Sequence, residues 1–141
     1  MNRFTPYALV AAVALSACSG YDMPRSQTSG TAMPATMPTA APASAHGDML
    51  VDAQGMTLYT FDRDTAGSAR SVCNGPCAAN WPPLTAPADA TAAGPWSLVM
   101  RDDGSRQWAY HGKPLYRWAK DKAPGEQSGD GFNGVWHVAR P

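Results

Sequence analysis

The chain has 141 residues, and its 11 basic and 11 acidic residues leave no net charge at pH 7. A balanced chain has no basic field to attract nucleic acid, so we expect no nucleic-acid partner. The 13 glycines and 13 prolines interrupt the sequence too often for long helices.

Residues 1–17 are predicted to be an export signal. Arg3 supplies a positive charge, and the apolar run from Tyr7 to Leu15 is shorter than the ~20 residues that a membrane span needs. The run ends at Cys18 in a sequence that resembles the bacterial lipobox, which predicts lipidation of Cys18 as the first mature residue. The alternative is an ordinary signal peptide followed by an incidental cysteine. Lipidation would anchor the protein to a membrane of the cell envelope, and Ser19 favours the outer membrane facing the periplasm if the organism is Gram-negative.

Residues 18–47 are predicted to be a disordered linker, because they are rich in Ala, Pro and Thr and have almost no bulky apolar side chain. Thioether and imidazole groups suit Cu(I), which raises copper binding as an alternative role. The spacing of these groups is irregular, so they are also explained as incidental linker residues. They are Met23, Met33, Met37, His46 and Met49.

The rest of the chain, residues 48–141, is predicted to be one small, mainly β domain. Asp103-Gly104 supplies the turn of a hairpin between strands 97–101 and 106–111, and Gly112 leads into a further strand at 115–118. A comparable hairpin is predicted from 49–52 and 57–61. A last strand is predicted at 135–138, after a turn at 130–134.

An internal repeat organises this domain. The pattern Gly-x-x-Leu-Tyr-x-aromatic-x-x-Asp occurs at residues 55–64 and again at 112–121. It predicts two tandem related β-meander repeats, about 48–90 and about 94–141, packed into one domain. The aromatic side chains of each copy face one side of a strand and the leucine faces the other, so both strands are expected to be central. The repeated residues are Tyr59, Phe61, Asp64, Tyr116, Trp118 and Asp121.

The two repeated aspartates admit two interpretations. Asp64 and Asp121 follow the apolar part of their strands, where an aspartate most often closes a turn by accepting backbone N–H groups. Alternatively, each carboxylate accepts a hydrogen bond from a tyrosine hydroxyl of its own or the other repeat, which would link the two halves.

The three cysteines predict one disulfide. If Cys18 carries lipid, Cys73 and Cys77 remain as a pair in an oxidising compartment. Closing so short a loop contributes only about 2 kcal/mol. Redox exchange or metal binding by this pair are the alternatives, although three intervening residues differ from the two of thioredoxin-like enzymes.

The chain resembles the secreted-repeat lipoproteins, bacterial proteins with a Tyr-x-aromatic-x-x-Asp motif that is usually present in tandem. The likeness covers residues 48–141 and includes Cys73-x-x-x-Cys77 followed by Trp81-Pro82-Pro83. The resemblance implies a fold and an envelope location, and it implies no activity.

No catalytic motif is present, so we predict a protein that is not an enzyme and has no cofactor. A carboxylate pair formed by Asp64 and Asp121, or a metal site at His111 and His137, are the less favoured alternatives. The main prediction is a non-catalytic binding or interaction module for an unknown envelope ligand or protein, with exposed aromatic rings as a stacking surface. The alternative is a periplasmic copper-handling or redox accessory protein.

Overall fold

The computed structural model describes residues 41–141. The predicted signal peptide, the lipidation site Cys18 and the linker methionines Met23, Met33 and Met37 lie outside this part of the chain. The described elements, in chain order, are β1 Ala43–His46, β2 Met49–Asp52, β3 Tyr59–Phe61, α1 Pro76–Asn80, β4 Thr85–Ala86, β5 Trp96–Met100, β6 Arg106–Tyr110, β7 Lys113–Pro114, a 3-10 helix Phe132–Gly134, and β8 Trp136–Val138.

The mainly β class with two tandem repeats is confirmed, and the hairpin of β5 and β6 lies within one residue of its prediction. Its turn closes where Gly104 donates to the carbonyl of Arg101 at 3.0 Å. Because Asp-Gly strongly favours such a turn, this hairpin was the easiest element to predict.

The predicted linker boundary at residue 47 is wrong. Residues 43–46 form β1, which pairs antiparallel with β2 from Ala43 opposite Asp52 to His46 opposite Met49. The sequence Ala-Ser-Ala-His has no bulky apolar residue, so composition gives no sign of a strand. Its order comes from the backbone pairing with β2 and from Ala43, which is buried in the core.

Two other local predictions differ from the structure. Helix α1 was missed because five residues are too few to show a helical period; Pro76 begins it directly after Gly75. The predicted strand 115–118 and the hairpin of 49–52 with 57–61 form only in part. Tyr116 makes single bridges to Tyr59 and Pro83, and Thr57 makes a single bridge to Val51.

The strands exchange between the repeats. β3 of the first repeat pairs with β8 of the second, and β4 of the first repeat pairs with β6 of the second. The exchange is reciprocal in detail: Ala139 N–H donates to the carbonyl of Leu58 at 2.8 Å, and Leu84 N–H donates to that of Leu115 at 2.9 Å. The end of each repeat therefore completes the sheet of the other.

Tyr59 and Tyr116 lie at the centre of this exchange. Tyr59 N–H donates to the carbonyl of Tyr116 at 2.8 Å, and Tyr116 N–H donates back to that of Tyr59 at 2.9 Å. The two tyrosines pack in one hydrophobic cluster with the tryptophans 81, 118 and 136. Leu58 and Leu115 pack in a second cluster, on the opposite face. The motif strands are thus buried on both faces, as the alternation of their side chains predicts.

Candidate functional site

The repeated tyrosines and aspartates meet across the repeats. The hydroxyl of Tyr59 donates to Asp121 Oδ2 at 2.6 Å. The hydroxyl of Tyr116 donates to Asp64 Oδ2 in the reciprocal bond. Each tyrosine therefore binds the aspartate of the other copy, and the second interpretation of these aspartates is correct.

The turn-closing interpretation is correct as well, because each carboxylate uses its other oxygen for it. Asp64 Oδ1 accepts the N–H of Val72 at 2.7 Å, and Asp121 Oδ1 accepts the N–H of Ser128 at 3.1 Å. One side chain thus holds its own loop in place and binds the other repeat. This double role explains why the motif needs an aspartate at that position.

The four side chains are inaccessible to a ligand. Tyr59 and Tyr116 are fully buried, and Asp64 and Asp121 are 8% and 6% exposed. Burial, followed by the hydrogen bond to the partner aspartate, raises the pKa of both tyrosine hydroxyls. Burial also raises the pKa of Asp64, while the bonds from Tyr116 and Val72 oppose that shift. The motif is therefore architectural: these four side chains join the two repeats.

The large aromatic side chains form a continuous stack in the core. Ring centroids are 4.2 Å apart between Phe61 and Trp136, 3.8 Å between Trp136 and Trp81, and 4.0 Å between Trp81 and Trp118. The three tryptophans are 5% exposed or less. They do not form the open stacking surface that the sequence suggested, and the most exposed large aromatic side chain of residues 41–141 is that of Phe132.

A buried arginine that sequence reasoning missed holds the loop of the first repeat. Cys73 and Cys77 are joined by a disulfide with Cα atoms 5.2 Å apart. Arg101, only 4% exposed, donates from Nη2 to the carbonyl of Cys73 at 2.6 Å and from Nη1 to Ser71 Oγ at 3.1 Å. Ser71 Oγ in turn lies 2.6 Å from the Tyr116 hydroxyl. The sequence signal was weak: a single arginine at the end of a strand, just before a turn, is usually solvated.

An open cleft of about 400 Å³ lies between the outer face of β3 and β8 and the turn after β6. Its size is in the range of small-molecule sites. His137 Nε2 lies 2.9 Å from Asp62 Oδ2 across this face. The lining residues with polar side chains are Thr60, Asp62, Tyr110, His111, Lys113, His137 and Arg140.

His111 reaches the cleft from the turn between β6 and β7. It has a φ of 47° and is followed by Gly112 with a φ of 77°, which are the positive values of a two-residue hairpin turn between β6 and β7. A Cβ atom at position 112 would lie 2.7 Å from the backbone nitrogen of Gly67, so only glycine fits there. Asn-Gly is the favoured sequence for such a turn, and histidine is among the residues other than glycine that adopt positive φ most often. The turn therefore fixes the position of the imidazole at the cleft.

The equivalent place in the other repeat is filled. Arg117 follows Tyr116 as Thr60 follows Tyr59, and its Nε lies 2.5 Å from Asp52 Oδ2. Arg117 Nη2 also donates to Gln54 Oε1 at 3.0 Å. The side chain of Asp52 is 1% exposed. One repeat thus closes this position with an ion pair, and the other leaves it open and lines it with titratable side chains.

Metal ligands are sparse in the described part of the chain. His111 and His137 line the same cleft, as the sequence suggested, but residues 41–141 contain no group of three or more His, Cys, Asp or Glu side chains placed to hold a metal. Met49 is buried, and its sulfur accepts the Thr57 hydroxyl at 3.7 Å. Among the same residues, no helix has the length and apolar character to cross a membrane.

The family comparison finds the same two-repeat organisation. The model of a family described as a secreted repeat of unknown function matches residues 42–85 and again residues 97–140. No curated protein and no solved structure matches the chain significantly. The first match begins one residue before β1, in agreement with the corrected boundary.

Proposed function

Because this chain belongs to the family of secreted repeats of unknown function, we propose that it is a lipid-anchored protein of the bacterial cell envelope whose repeat domain is a non-catalytic binding module. The binding site is the cleft between the β3–β8 face and the turn at His111. The observation that carries this proposal is the contrast between the open cleft and the filled equivalent position at Arg117 and Asp52.

The lining of the cleft indicates a polar ligand that carries hydrogen-bond acceptors. Lys113 is exposed, and no acidic side chain of residues 41–141 forms an ion pair with it. His111 adds a further polar group, whereas Nε2 of His137 is already bonded to Asp62, and the half-buried ring of Tyr110 gives one apolar wall. A ligand that combines carboxylate or amide groups with a flat face would satisfy both parts of the lining.

The lipid anchor is supported by Cys18 and by the export signal before it. Mass spectrometry of the protein purified from a bacterial envelope tests it directly. We expect diacylglyceryl and acyl groups on Cys18 and no residue before it. A mature chain that starts elsewhere, or an unacylated Cys18, would contradict the anchor without affecting the binding proposal.

The variant H111N tests the cleft. Asparagine keeps the turn, because Asn-Gly is favoured at this position, and it removes the imidazole. NMR titration with soluble muropeptides, which carry carboxylate and amide groups and occur in the envelope, is expected to shift cleft resonances in the parent protein. The shifts are expected to weaken in H111N and in K113M.

The matched control is Q54A in the filled equivalent position, which is expected to leave these shifts unchanged. Equal binding by H111N, K113M and the parent protein, or shifts confined to residues outside the cleft, would show that the cleft is not the site.

Copper handling is a second candidate, favoured by the two imidazoles that share the cleft with Asp62. The same samples titrated with Cu(II) distinguish it from the first. Stoichiometric copper that is lost in both H111N and H137N would replace the ligand-binding proposal with metal handling.

A further inference from the structure

The aromatic stack is continuous from near the domain surface to the buried tyrosines. Trp118 stacks on Trp81 with centroids 4.0 Å apart, and the ring of Tyr59 meets Trp81 edge-on at 5.4 Å. Phe132, 38% exposed, packs on Trp118 at 4.9 Å. A hydrophobic core requires contact but no unbroken series of easily oxidised rings. Neighbouring rings at these distances exchange electrons readily.

The two ends of this series of rings lie beside charges of opposite sign. The ammonium of Lys120 lies 5.5 Å from the Trp118 ring centroid, at the outer end. The carboxylate of Asp121 lies at the inner end, 2.6 Å from the Tyr59 hydroxyl. A hole, the positive site left when an electron is lost, is disfavoured beside the ammonium and favoured beside the carboxylate. The effect is strengthened at the inner end, where burial lowers the local dielectric constant.

The inner end also has a place for the phenolic proton. A phenol becomes strongly acidic once it loses an electron, and a neutral tyrosyl radical forms only if the proton leaves at the same time. The Tyr59 hydroxyl already donates to Asp121 Oδ2, so the proton moves along an existing hydrogen bond.

The second tyrosine is less suited to this role. Tyr116 bonds Asp64 in the same way, but the buried guanidinium of Arg101 lies one hydroxyl away, through Ser71 Oγ. A cation at this position opposes the loss of the negative charge of Asp64. Tyr59 is therefore the favoured end point.

We propose that Trp118, Trp81 and Tyr59 form a relay that carries an oxidising equivalent from the surface to the buried Tyr59–Asp121 pair. The oxidant is an oxygen-centred peroxyl radical. It takes one electron from Trp118 and a proton from water. The peroxyl radical thereby becomes a hydroperoxide, and the water becomes a hydroxide ion. Trp81 then gives an electron to the oxidised Trp118, and Tyr59 gives an electron to the oxidised Trp81. The O–H bond of Tyr59 breaks, its proton passes to Asp121 Oδ2, and a neutral tyrosyl radical beside a neutral carboxylic acid remains.

The test uses photogenerated ruthenium(III) tris-bipyridine as a one-electron oxidant of the full mature chain. Y21F and Y110F are introduced throughout, so that Tyr59 and Tyr116 are the tyrosines that remain after residue 18. Transient absorption and freeze-quench electron paramagnetic resonance are expected to show a tryptophan radical that decays into a tyrosyl radical. The tyrosyl signal is expected to be lost in Y59F and kept in Y116F.

Two further variants separate a relay from a merely structural role. W118F keeps a stacked ring but is hard to oxidise, so the tyrosyl radical is expected to form more slowly. D121N keeps a hydrogen-bond acceptor but removes the proton acceptor, so the radical is expected to remain on tryptophan. Circular dichroism checks the fold of each variant, and W118F and D121N decide the question if Y59F does not fold.

The proposal is overturned if the tyrosyl yield is the same in Y59F and the parent protein. It is also overturned if W118F and D121N leave both the rate and the final position of the radical unchanged.

Discussion

The two repeats share one frame and differ in what surrounds it. In both, a tyrosine hydroxyl binds the aspartate of the other copy, and that aspartate holds its own loop through a backbone N–H. The loop of the first repeat adds a disulfide and contacts Arg101, whereas the loop of the second adds neither. The comparison teaches that the motif specifies how the halves join, whereas the features that distinguish the two halves lie outside the motif.

In each loop, one backbone N–H bonds the motif aspartate, and the residue after it shows the difference between the repeats most clearly. Val72 is followed by Cys73 in the first repeat, and Ser128 is followed by Gly129 in the second. A Cβ atom on Gly129 would lie 2.7 Å from the ring of Trp81, so the second loop needs a glycine. The first loop has room for a side chain there and uses it for the disulfide.

Loss of both tyrosine hydroxyls is expected to have the largest effect on stability. Each Tyr→Phe change leaves a buried carboxylate oxygen without its donor, which costs about 2 kcal/mol, and the double variant Y59F/Y116F is expected to lose more than either single variant. Chemical denaturation measures these changes. Y110F is the control, since Tyr110 is half-buried and lies outside the Tyr–Asp bonds, and it is expected to stay within about 0.5 kcal/mol of the parent.

The same tyrosines predict an alkaline limit. Their pKa values are raised in the folded state above the ordinary 10.0. Their contribution is therefore complete below pH 10.0 and is lost as the pH rises above it, because only the unfolded chain then releases the protons. Melting temperatures across this range are expected to fall in the parent protein, with the fall greatly reduced in Y59F/Y116F. An equal fall in both proteins would show that these two tyrosine hydroxyls do not cause the loss of stability at high pH.

Removal of Arg101 is expected to destabilise the first loop selectively. R101M leaves the Cys73 carbonyl, Ser71 and Gln107 without a charged donor, at a cost of roughly 3 kcal/mol. Hydrogen exchange is expected to increase at residues 71–74 and to change little at 126–130. R70M is the matched control, because that side chain is 77% exposed. Uniform loss of protection in both loops would show that Arg101 supports the whole domain.

Loss of the disulfide is expected to have the smallest effect of the three. Replacing Cys73 and Cys77 by alanine removes a short covalent loop and about 2 kcal/mol of stability. The melting temperature of the double variant, compared with that of the oxidised parent protein, measures it. If the variant fails to fold, the disulfide stabilises more of the domain than its own turn.

The sequence predicts well where short-range rules are strong. The hairpin around Asp103-Gly104, the two-sided burial of the motif strands and the repeat itself all follow from local patterns. β1 was missed because Ala-Ser-Ala-His forms a strand only through its partner, and α1 because it has too few residues to show a period.

The site was harder to predict than the fold. The sequence left open whether Asp64 and Asp121 close turns or bind tyrosines, since that depends on strand exchange between distant segments. Arg101 gives no local sign of its burial. The open cleft and its filled equivalent become visible only when Thr60 and Arg117 are compared at matching places in the fold, because neither residue type marks a site by itself.

The reciprocal strand exchange has a consequence for the origin of the chain. A polypeptide with only one repeat would lack the strand that completes its sheet and would expose the edge and its tyrosine to water. Two such polypeptides could supply each other's missing strand and would form a two-fold symmetric dimer with two identical clefts. After duplication and fusion of such a gene, the two halves would no longer have the same sequence. One cleft can then close while the other remains open.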